Sequence, residues 1–279
     1  MKKQLLTLLA IPILFAACGK SSDNPENKKN ENKQLVRIDA VMTPYKFGAA
    51  SSKDRYRWSY QVFDNEGLLV TSSTRLGFVL DPTKSYEEEV TYKYENKKLV
   101  EKKTTDFRYT YAYNGLDTTE VQEYTSQGLY TTQKREYDAN AKLYKLHTFY
   151  HFGGKPELFR TDVYGYNSKG TINNIHILYK PFVLGNELHY TYDEKGNMLT
   201  EMFFNREKQT TVIQARRSYT YDDKGRISEY VKSVSTDFRK FKNSYEENGN
   251  LMKQDVYTSD NLEGPFEQVG VINYSYTYK

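Results

Sequence analysis

The chain has 279 residues and a formal net charge of +4, from 40 basic and 36 acidic side chains. Because the two signs are interspersed, the sequence lacks the basic stripe of a nucleic-acid-binding protein, and we expect no nucleic-acid partner. A mean hydropathy of −0.82, with 27% charged residues, argues against a barrel embedded in lipid, which needs an unbroken apolar band on its outer face. The single cysteine leaves no internal partner for a disulfide.

Residues 1–17 have the layout of a secretory signal peptide. Their apolar run, residues 5–17, is too short to be a stable membrane span. Small residues precede Cys18, and this arrangement resembles a bacterial lipobox, in which the cysteine becomes the lipid-bearing first residue of the mature protein; Phe15 stands where leucine is usual. The alternative is an ordinary signal peptide with a chance cysteine. An unpaired cysteine in an exported chain favours a modified thiol, so we predict that Cys18 is the lipidation site.

The next segment, residues 18–34, is predicted to be a tether. After Cys18 it is polar and has no aromatic or β-branched residue, so it cannot bury enough apolar surface to fold. No aspartate follows Cys18 directly, so nothing there resembles an inner-membrane retention signal. We therefore expect a lipoprotein of the outer membrane of a Gram-negative bacterium, periplasmic or surface-exposed, and attached to the membrane through Cys18. Residues 35–279 then form a single β-repeat domain.

A repeated turn organises that domain. In residues 190–199 and 219–227, alternating Tyr and Thr run into an Asp-x-Lys-Gly turn, after which an apolar strand begins. Glycine suits the turn because it adopts positive φ, and aspartate can bond the backbone two residues on. Looser copies begin at Phe63, Tyr92, Tyr111, Tyr137, Tyr164 and Tyr245. Turns 24–29 residues apart leave room for two strands and two connections, so one repeat is one hairpin plus a return.

The predicted fold is all-β, an antiparallel meander of about 16–18 strands. Apolar residues recur at every second position, and no segment carries a helical stripe. So many strands in one open sheet would expose two edges, so we expect a closed or partly closed barrel or shell. Charges on both faces of the strands predict a water-soluble barrel. Longer loops are predicted at 43–53, 81–84, 152–156, 181–185 and 261–265, which carry Pro or Gly.

The 27 tyrosines allow two interpretations. Tyr-x-Tyr places both rings on one face of a strand, where they can form the core of a thin sheet. Alternatively, they form a stacking platform for sugars or other planar ligands. Trp58, the only tryptophan, is the residue that we predict to stack on a ligand; its alternative is a core position near the first strands.

The turn Tyr-Asp-x-x-Gly-Arg at residues 221–226 resembles the YD repeat of Rhs-type and insecticidal-toxin shell proteins, which curl into a hollow β cocoon. Over its whole length the chain more closely resembles a family of small exported lipoproteins of Gram-negative gut anaerobes, with a lipobox, a polar tether and degenerate YD repeats. That resemblance implies a porin-like β fold and an envelope location. The function of that family is unknown, so it implies no site residue.

No pattern in the sequence predicts catalysis, a metal or a cofactor. His147 and His151 are four residues apart, which on a strand is about 13 Å and too far for one metal ion. The segment 193–197 has acidic residues, but its lysine and the missing distal glutamate argue against a calcium loop. A nucleophile elbow, a P-loop and a dinucleotide fingerprint are all lacking from the sequence.

Three functions remain as hypotheses. The first is a lipid-anchored, non-catalytic binding module of the cell envelope, with a glycan or peptide as ligand. The second is a structural or interaction subunit that docks another envelope protein. The third is a hydrolase whose site is scattered over strand ends and so is not visible in the sequence.

Overall fold

A computed structural model describes residues 33–46, 49–77, 85–180, 183–234, 237–261 and 264–279. Residues Gln34–Lys279 form one unit. In the described part of the chain, no helix has the length and apolarity that a membrane span requires. The strands are β1 (Leu35–Lys46), β2 (Ala49–Ala50), β3 (Tyr56–Phe63), β4 (Leu69–Gly77), β5 (Ser85–Glu95), β6 (Lys98–Lys103), β7 (Arg108–Asn114), β8 (Asp117–Thr125), β9 (Gly128–Tyr137), β10 (Leu143–Phe152), β11 (Lys155–Tyr166), β12 (Ile172–Tyr179), β13 (Val183–Tyr192), β14 (Met198–Asn205), β15 (Thr210–Tyr221), β16 (Ile227–Val234), β17 (Asp237–Tyr245), β18 (Leu251–Ser259) and β19 (Glu267–Tyr278).

The strands form a closed antiparallel barrel. From β3 to β19 each strand pairs with the next, and β1 closes the sheet by pairing with both β19 and β3. The two-residue strand β2 only folds back on the end of β1, so the barrel itself has 18 strands. Closure removes both sheet edges. The predicted antiparallel meander of 16–18 strands is confirmed.

Some predicted loops are shorter than expected. Residues 152–156 contribute only a tight connection at Gly153 and Gly154, and β11 already begins at Lys155. Pro156 lies within that strand, opposite His151, although proline normally interrupts a strand. The predicted loop at 81–84 lies outside the described residues.

The repeated turn has the geometry that its residues predict. Asp193 Oδ1 accepts backbone hydrogen bonds from Lys195 at 2.9 Å and from Asn197 at 2.8 Å. The Asp193 carbonyl accepts from the Gly196 amide at 3.1 Å, and Gly196 has φ +86°. The same two side-chain bonds recur at Asp64, Asp138 and Asn167. Each of these turns is therefore held by its own first residue, through bonds that are local in the sequence.

Tyrosine hydroxyls join each repeat to the one before it. The Tyr192 hydroxyl donates to the Ile172 carbonyl at 2.6 Å, immediately after the preceding turn. Equivalent bonds run from Tyr113 to Leu99, Tyr137 to Thr118, Tyr166 to Leu143, Tyr219 to Met198, Tyr245 to Ile227 and Tyr276 to Leu251. For these tyrosines the structural interpretation holds, since the ring packs while its hydroxyl satisfies a backbone carbonyl.

One face of every strand points into the barrel. Residues paired directly across two strands share a face, so the register carries one set of side chains around the sheet. The core cluster on this face joins Ala40 and Met42 of β1 with Phe241 of β17, and Tyr56 and Trp58 of β3 pack against it. Strands this far apart in the sheet can meet only on its concave side. The Tyr-x-Tyr face is therefore the inward face.

Candidate functional site

The two ends of the barrel differ. We call the end with the Tyr-Asp turns the turn end, and the opposite end, with the connections at 104–107, 126–127, 153–154 and 206–209, the mouth. Strands carry an extra residue in a β-bulge near both ends of the barrel, and near the mouth several of these extra residues are aromatic. Tyr130 is the extra residue in β9, Phe159 in β11 and Trp58 in β3. Bulges re-aim side chains and recur next to functional sites, and here they add aromatic rings to the inward face.

Four aromatic rings follow one another across β9 to β12 at the mouth; we call Tyr130, Tyr150, Phe159 and Tyr179 the aromatic arc. The ring centroids of Tyr130 and Tyr150 are 5.3 Å apart, those of Tyr150 and Phe159 4.8 Å, and those of Phe159 and Tyr179 5.5 Å, all edge to face. Tyr130 is 36% exposed and Phe159 43%. The arc therefore presents apolar ring surface to solvent at the mouth.

Trp58 has the same bulged position as Tyr130 and Phe159, but a different environment. Its ring packs against the hydrophobic core cluster, with its centroid 6.4 Å from that of Tyr56. This is the core position that the sequence left open as the alternative. Stacking of a ligand on Trp58 stays a prediction.

Three cations lie side by side on the inward face near the mouth; we call Arg217, Lys232 and Arg239 the cationic row. Arg217 of β15 pairs with Lys232 of β16, and Lys232 pairs with Arg239 of β17. Asp237 is the carboxylate beside them, and its Oδ1 accepts from Arg239 Nε at 2.7 Å. Among the described residues, the buried Nη1 of Arg217 has no hydrogen-bond partner.

An aromatic column adjoins the cationic row on the side of the turn end. Tyr219, Tyr230 and Phe241 pair across the same three strands, two residues further along. The rings of Tyr230 and Phe241 stack at 4.5 Å with an interplanar angle of 13°. Burial raises the pKa of Tyr230, so its hydroxyl stays protonated. Burial also lowers the pKa of Lys232, and the charges of Arg239 and Arg217 lower it further.

A second group of inward polar residues lies beside the aromatic arc. Arg160 Nε donates to Asp162 Oδ1 at 2.5 Å, and Arg160 is paired with Tyr179 of the arc. Burial raises the pKa of Asp162 despite the opposing charge of Arg160. Among the described residues, Asp162 is the one carboxyl whose pKa is clearly raised. The side chain bonded to it is that of Arg160. The group bonded to Asp162 is therefore a guanidinium, whereas an acid–base pair of carboxyl groups would need a second carboxyl there.

The histidines make hydrogen bonds with protein groups. His147 contacts Thr161 Oγ1 and Glu136 Oε1, each at 2.9 Å, and His151 Nε2 contacts Thr132 Oγ1 at 2.8 Å. Within the described ranges, no group of three or more His, Cys, Asp or Glu side chains is arranged to hold a metal ion.

A buried carboxylate on the outward face was not predicted. Glu187 has a side chain only 7% exposed and is surrounded by His176 at 3.2 Å, His189 at 2.8 Å and the guanidinium of Arg206. Burial by itself raises the pKa of Glu187, but hydrogen bonds from Arg206 and His189 outweigh burial and leave the pKa below 4.5.

Neither the arc nor the row was predicted from the sequence. Each consists of side chains from several neighbouring strands, and the sequence does not show which residues of those strands lie opposite each other. A weak signal existed for the row, since Lys232 and Arg239 lie near the ends of the consecutive strands β16 and β17, whereas Arg217 joins them only through the register of β15. The predicted lipidation site, Cys18, lies outside the described residues.

No protein-family model and no curated protein matches this sequence. Among solved structures, the chain is similar to a porin-like protein from Bacteroides uniformis, with 8% identity and a TM-score of 0.44 over 87% of this chain and 98% of that one. A porin-like protein from Bacteroides vulgatus matches with 8% identity and a TM-score of 0.36, over 88% and 99%.

The Tc holotoxin pore of Photorhabdus luminescens matches 71% of this chain with 9% identity and a TM-score of 0.28, but only 15% of the toxin chain is covered. All three TM-scores are below 0.5.

Proposed function

We propose that this protein is a lipid-anchored, non-catalytic binding protein of the Gram-negative cell envelope, and that its ligand is a carbohydrate. Cys18 would carry the lipid, and the polar residues up to 34 would give the barrel reach from the outer membrane. The observation that supports a ligand most strongly is the aromatic arc, because two of its rings are brought to the inward face by bulges and remain exposed.

The chemistry of the arc suits a sugar. The apolar C–H face of a sugar ring can pack on Tyr150 or Phe159, while the hydroxyls of Tyr130 and Tyr179 and the guanidinium of Arg160 can bond its hydroxyl groups. The structure suits a peptide ligand less well than a sugar. Extended peptides commonly add a strand to a free sheet edge, and the closed barrel has none.

The other two hypotheses have less support. Docking of a protein partner would favour a contiguous apolar patch outside the mouth. Of the most exposed apolar residues in the described part, Leu116 and Val212 lie on different strands or turns, and Phe152 belongs to the mouth, where its ring contacts Tyr150 of the arc. A hydrolase would need converging carboxyls with perturbed pKa values, and Asp162 is instead paired with Arg160.

The test is a glycan-array screen of the full-length lipoprotein in detergent. We expect Phe159→Ala and Tyr130→Ala each to weaken binding by about tenfold, since each removes one stacking ring. Tyr144→Ala is the matched control, because Tyr144 is 45% exposed and lies on β10 near the turn end. Binding to no glycan, or equal loss in the arc variants and the control, would overturn the proposal.

A further inference from the structure

The cationic row is an unfavourable arrangement for a protein without a ligand. Side chains directly opposite each other in antiparallel strands have Cβ atoms about 5 Å apart, and like charges at such positions repel. Arg217, Lys232 and Arg239 form two such pairs in succession, and the carboxylate of Asp237 is bonded to Arg239. The row therefore places three positive charges side by side, of which only that of Arg239 has an ion pair among the described residues.

The surroundings make this excess charge more costly. The aromatic column of Tyr219, Tyr230 and Phe241 adjoins the row on one side and keeps the local dielectric low. Lys232 Nζ lies 5.6 Å from the centre of the Phe241 ring, near the outer limit of a cation–π contact, so this ring offsets only part of the repulsion. Arg217 Nη1 is buried and has no partner among the described residues, and a buried polar group without a partner destabilises a fold.

We infer that the cationic row binds an anionic group, a carboxylate or sulfate, of the carbohydrate ligand; this inference rests on the proposed function. An oxyanion between the strands would accept hydrogen bonds from two guanidinium groups and one ammonium, including the unpartnered Arg217 Nη1. It would also cancel the repulsion along the row. The row and the aromatic arc lie on the same inward face near the mouth with β13 and β14 between them, so an acidic oligosaccharide that contacts both would have to span about 14 Å across the sheet.

The alternative is that the row stabilises the fold. The two roles predict opposite effects on stability when one cation of the row is neutralised. If the row holds the strands together, neutralising one member destabilises the protein. If the row is an anion site, neutralising Arg217 or Lys232 stabilises the ligand-free protein, because repulsion and a desolvated charge are removed.

The first experiment uses inorganic sulfate and thermal unfolding of the full-length protein in detergent, at constant ionic strength set with chloride. Arg217→Gln is compared with Arg216→Gln, which removes the same charge from the adjacent, outward-facing and exposed position. We expect Arg217→Gln to raise the midpoint without sulfate and to abolish a saturable sulfate-dependent rise, while Arg216→Gln retains that rise. Equal responses of the two variants would overturn the anion site.

The second experiment separates this inference from the proposed function. Binding of a neutral oligosaccharide, an oligogalacturonate and a sulfated oligosaccharide is measured for the wild type, Lys232→Gln and the outward control Lys242→Gln. We expect the acidic sugars to bind at least about tenfold more tightly than the neutral one, and Lys232→Gln to remove that preference. Neutral binding with no preference would overturn the anion site alone. Sulfate stabilisation without any sugar binding would overturn the carbohydrate ligand and leave a small-anion site.

Discussion

At the residue scale, Glu187 shows how a buried charge is accommodated on an otherwise exposed face. Its carboxylate accepts from His189 and Arg206, which replaces the water that burial removed. A partly buried carboxylate with three cationic or ionisable neighbours stabilises the barrel only while it is ionised. Its effect on stability must therefore depend on pH.

We expect Glu187→Gln to lower the free energy of unfolding by about 1–3 kcal/mol at pH 7, because a charged hydrogen-bonded pair is lost from a buried position. The pKa of Glu187 is lower in the folded state than in the unfolded state, so its contribution is complete above pH 4.5 and is lost as the pH falls through the lowered pKa.

Urea unfolding at pH 7, 5 and 3 tests this expectation, with Glu247→Gln in an exposed turn as the control. The gap between wild type and Glu187→Gln should shrink on acidification. A gap of constant size down to pH 3 would contradict the argument.

At the element scale, the turns show where the repeat tolerates variation and where it does not. Gly196 occupies the left-handed position with φ +86°, and an added Cβ would meet no atom within 4 Å. A side chain at this position would therefore destabilise the protein only through strain in the backbone, since no neighbouring atom is in its way. The equivalent position of an earlier turn is Ala141, with φ +58°, so that turn already carries this cost.

We therefore expect Ala141→Gly to stabilise the protein by roughly 1 kcal/mol and Gly196→Ala to destabilise it by a similar amount. Ala139→Gly is the control, because Ala139 lies in the same turn without a positive φ, and there glycine should only add entropy to the unfolded chain. Chemical denaturation of the three variants decides the question. Destabilisation by Ala141→Gly would refute the account of the turn.

At the scale of the whole molecule, closure joins the first and last strands. Val41 of β1 lies opposite Asn273 of β19, so residues far apart in the chain become neighbours. Directly opposed residues in antiparallel strands have Cα atoms about 4.5–5.5 Å apart, which is within the range of a disulfide. On the next strand, Lys253 of β18 lies opposite Asn273, about 10 Å from Val41 by the strand spacing.

In a Cys18→Ser background, we expect Val41→Cys with Asn273→Cys to form a disulfide on mild oxidation, and Val41→Cys with Lys253→Cys to form none. The first bridge should stabilise the barrel by on the order of 5 kcal/mol, since it closes nearly the whole chain into a loop. Gel mobility with and without reductant, followed by thermal unfolding, measures both effects. Cross-linking of the second pair but not the first would mean that β1 and β19 are not paired as described.

Much of this architecture was predictable because it is local. The residues Asp193 and Gly196 specify their turn through bonds within five residues, and the same pattern in other repeats predicts the hairpins. The bonds from tyrosine hydroxyls to the preceding repeat, such as Tyr192 to Ile172, were not predicted. These bonds depend on the register between one hairpin and the next, and that register cannot be read directly from the sequence.

The sequence by itself determined the class of fold, the antiparallel order of the strands and the face on which the tyrosines lie, because these follow from turn chemistry and a period of two. Only the tertiary structure decided that the sheet closes between β1 and β19 and that the tyrosine face is the concave one. It also decided that bulges place Tyr130 and Phe159 at the mouth and that register sets Arg217, Lys232 and Arg239 side by side. The physical reason is that register and bulges are fixed by pairing and packing between strands, and a shift of one residue in that pairing moves every side chain of a strand to the other face.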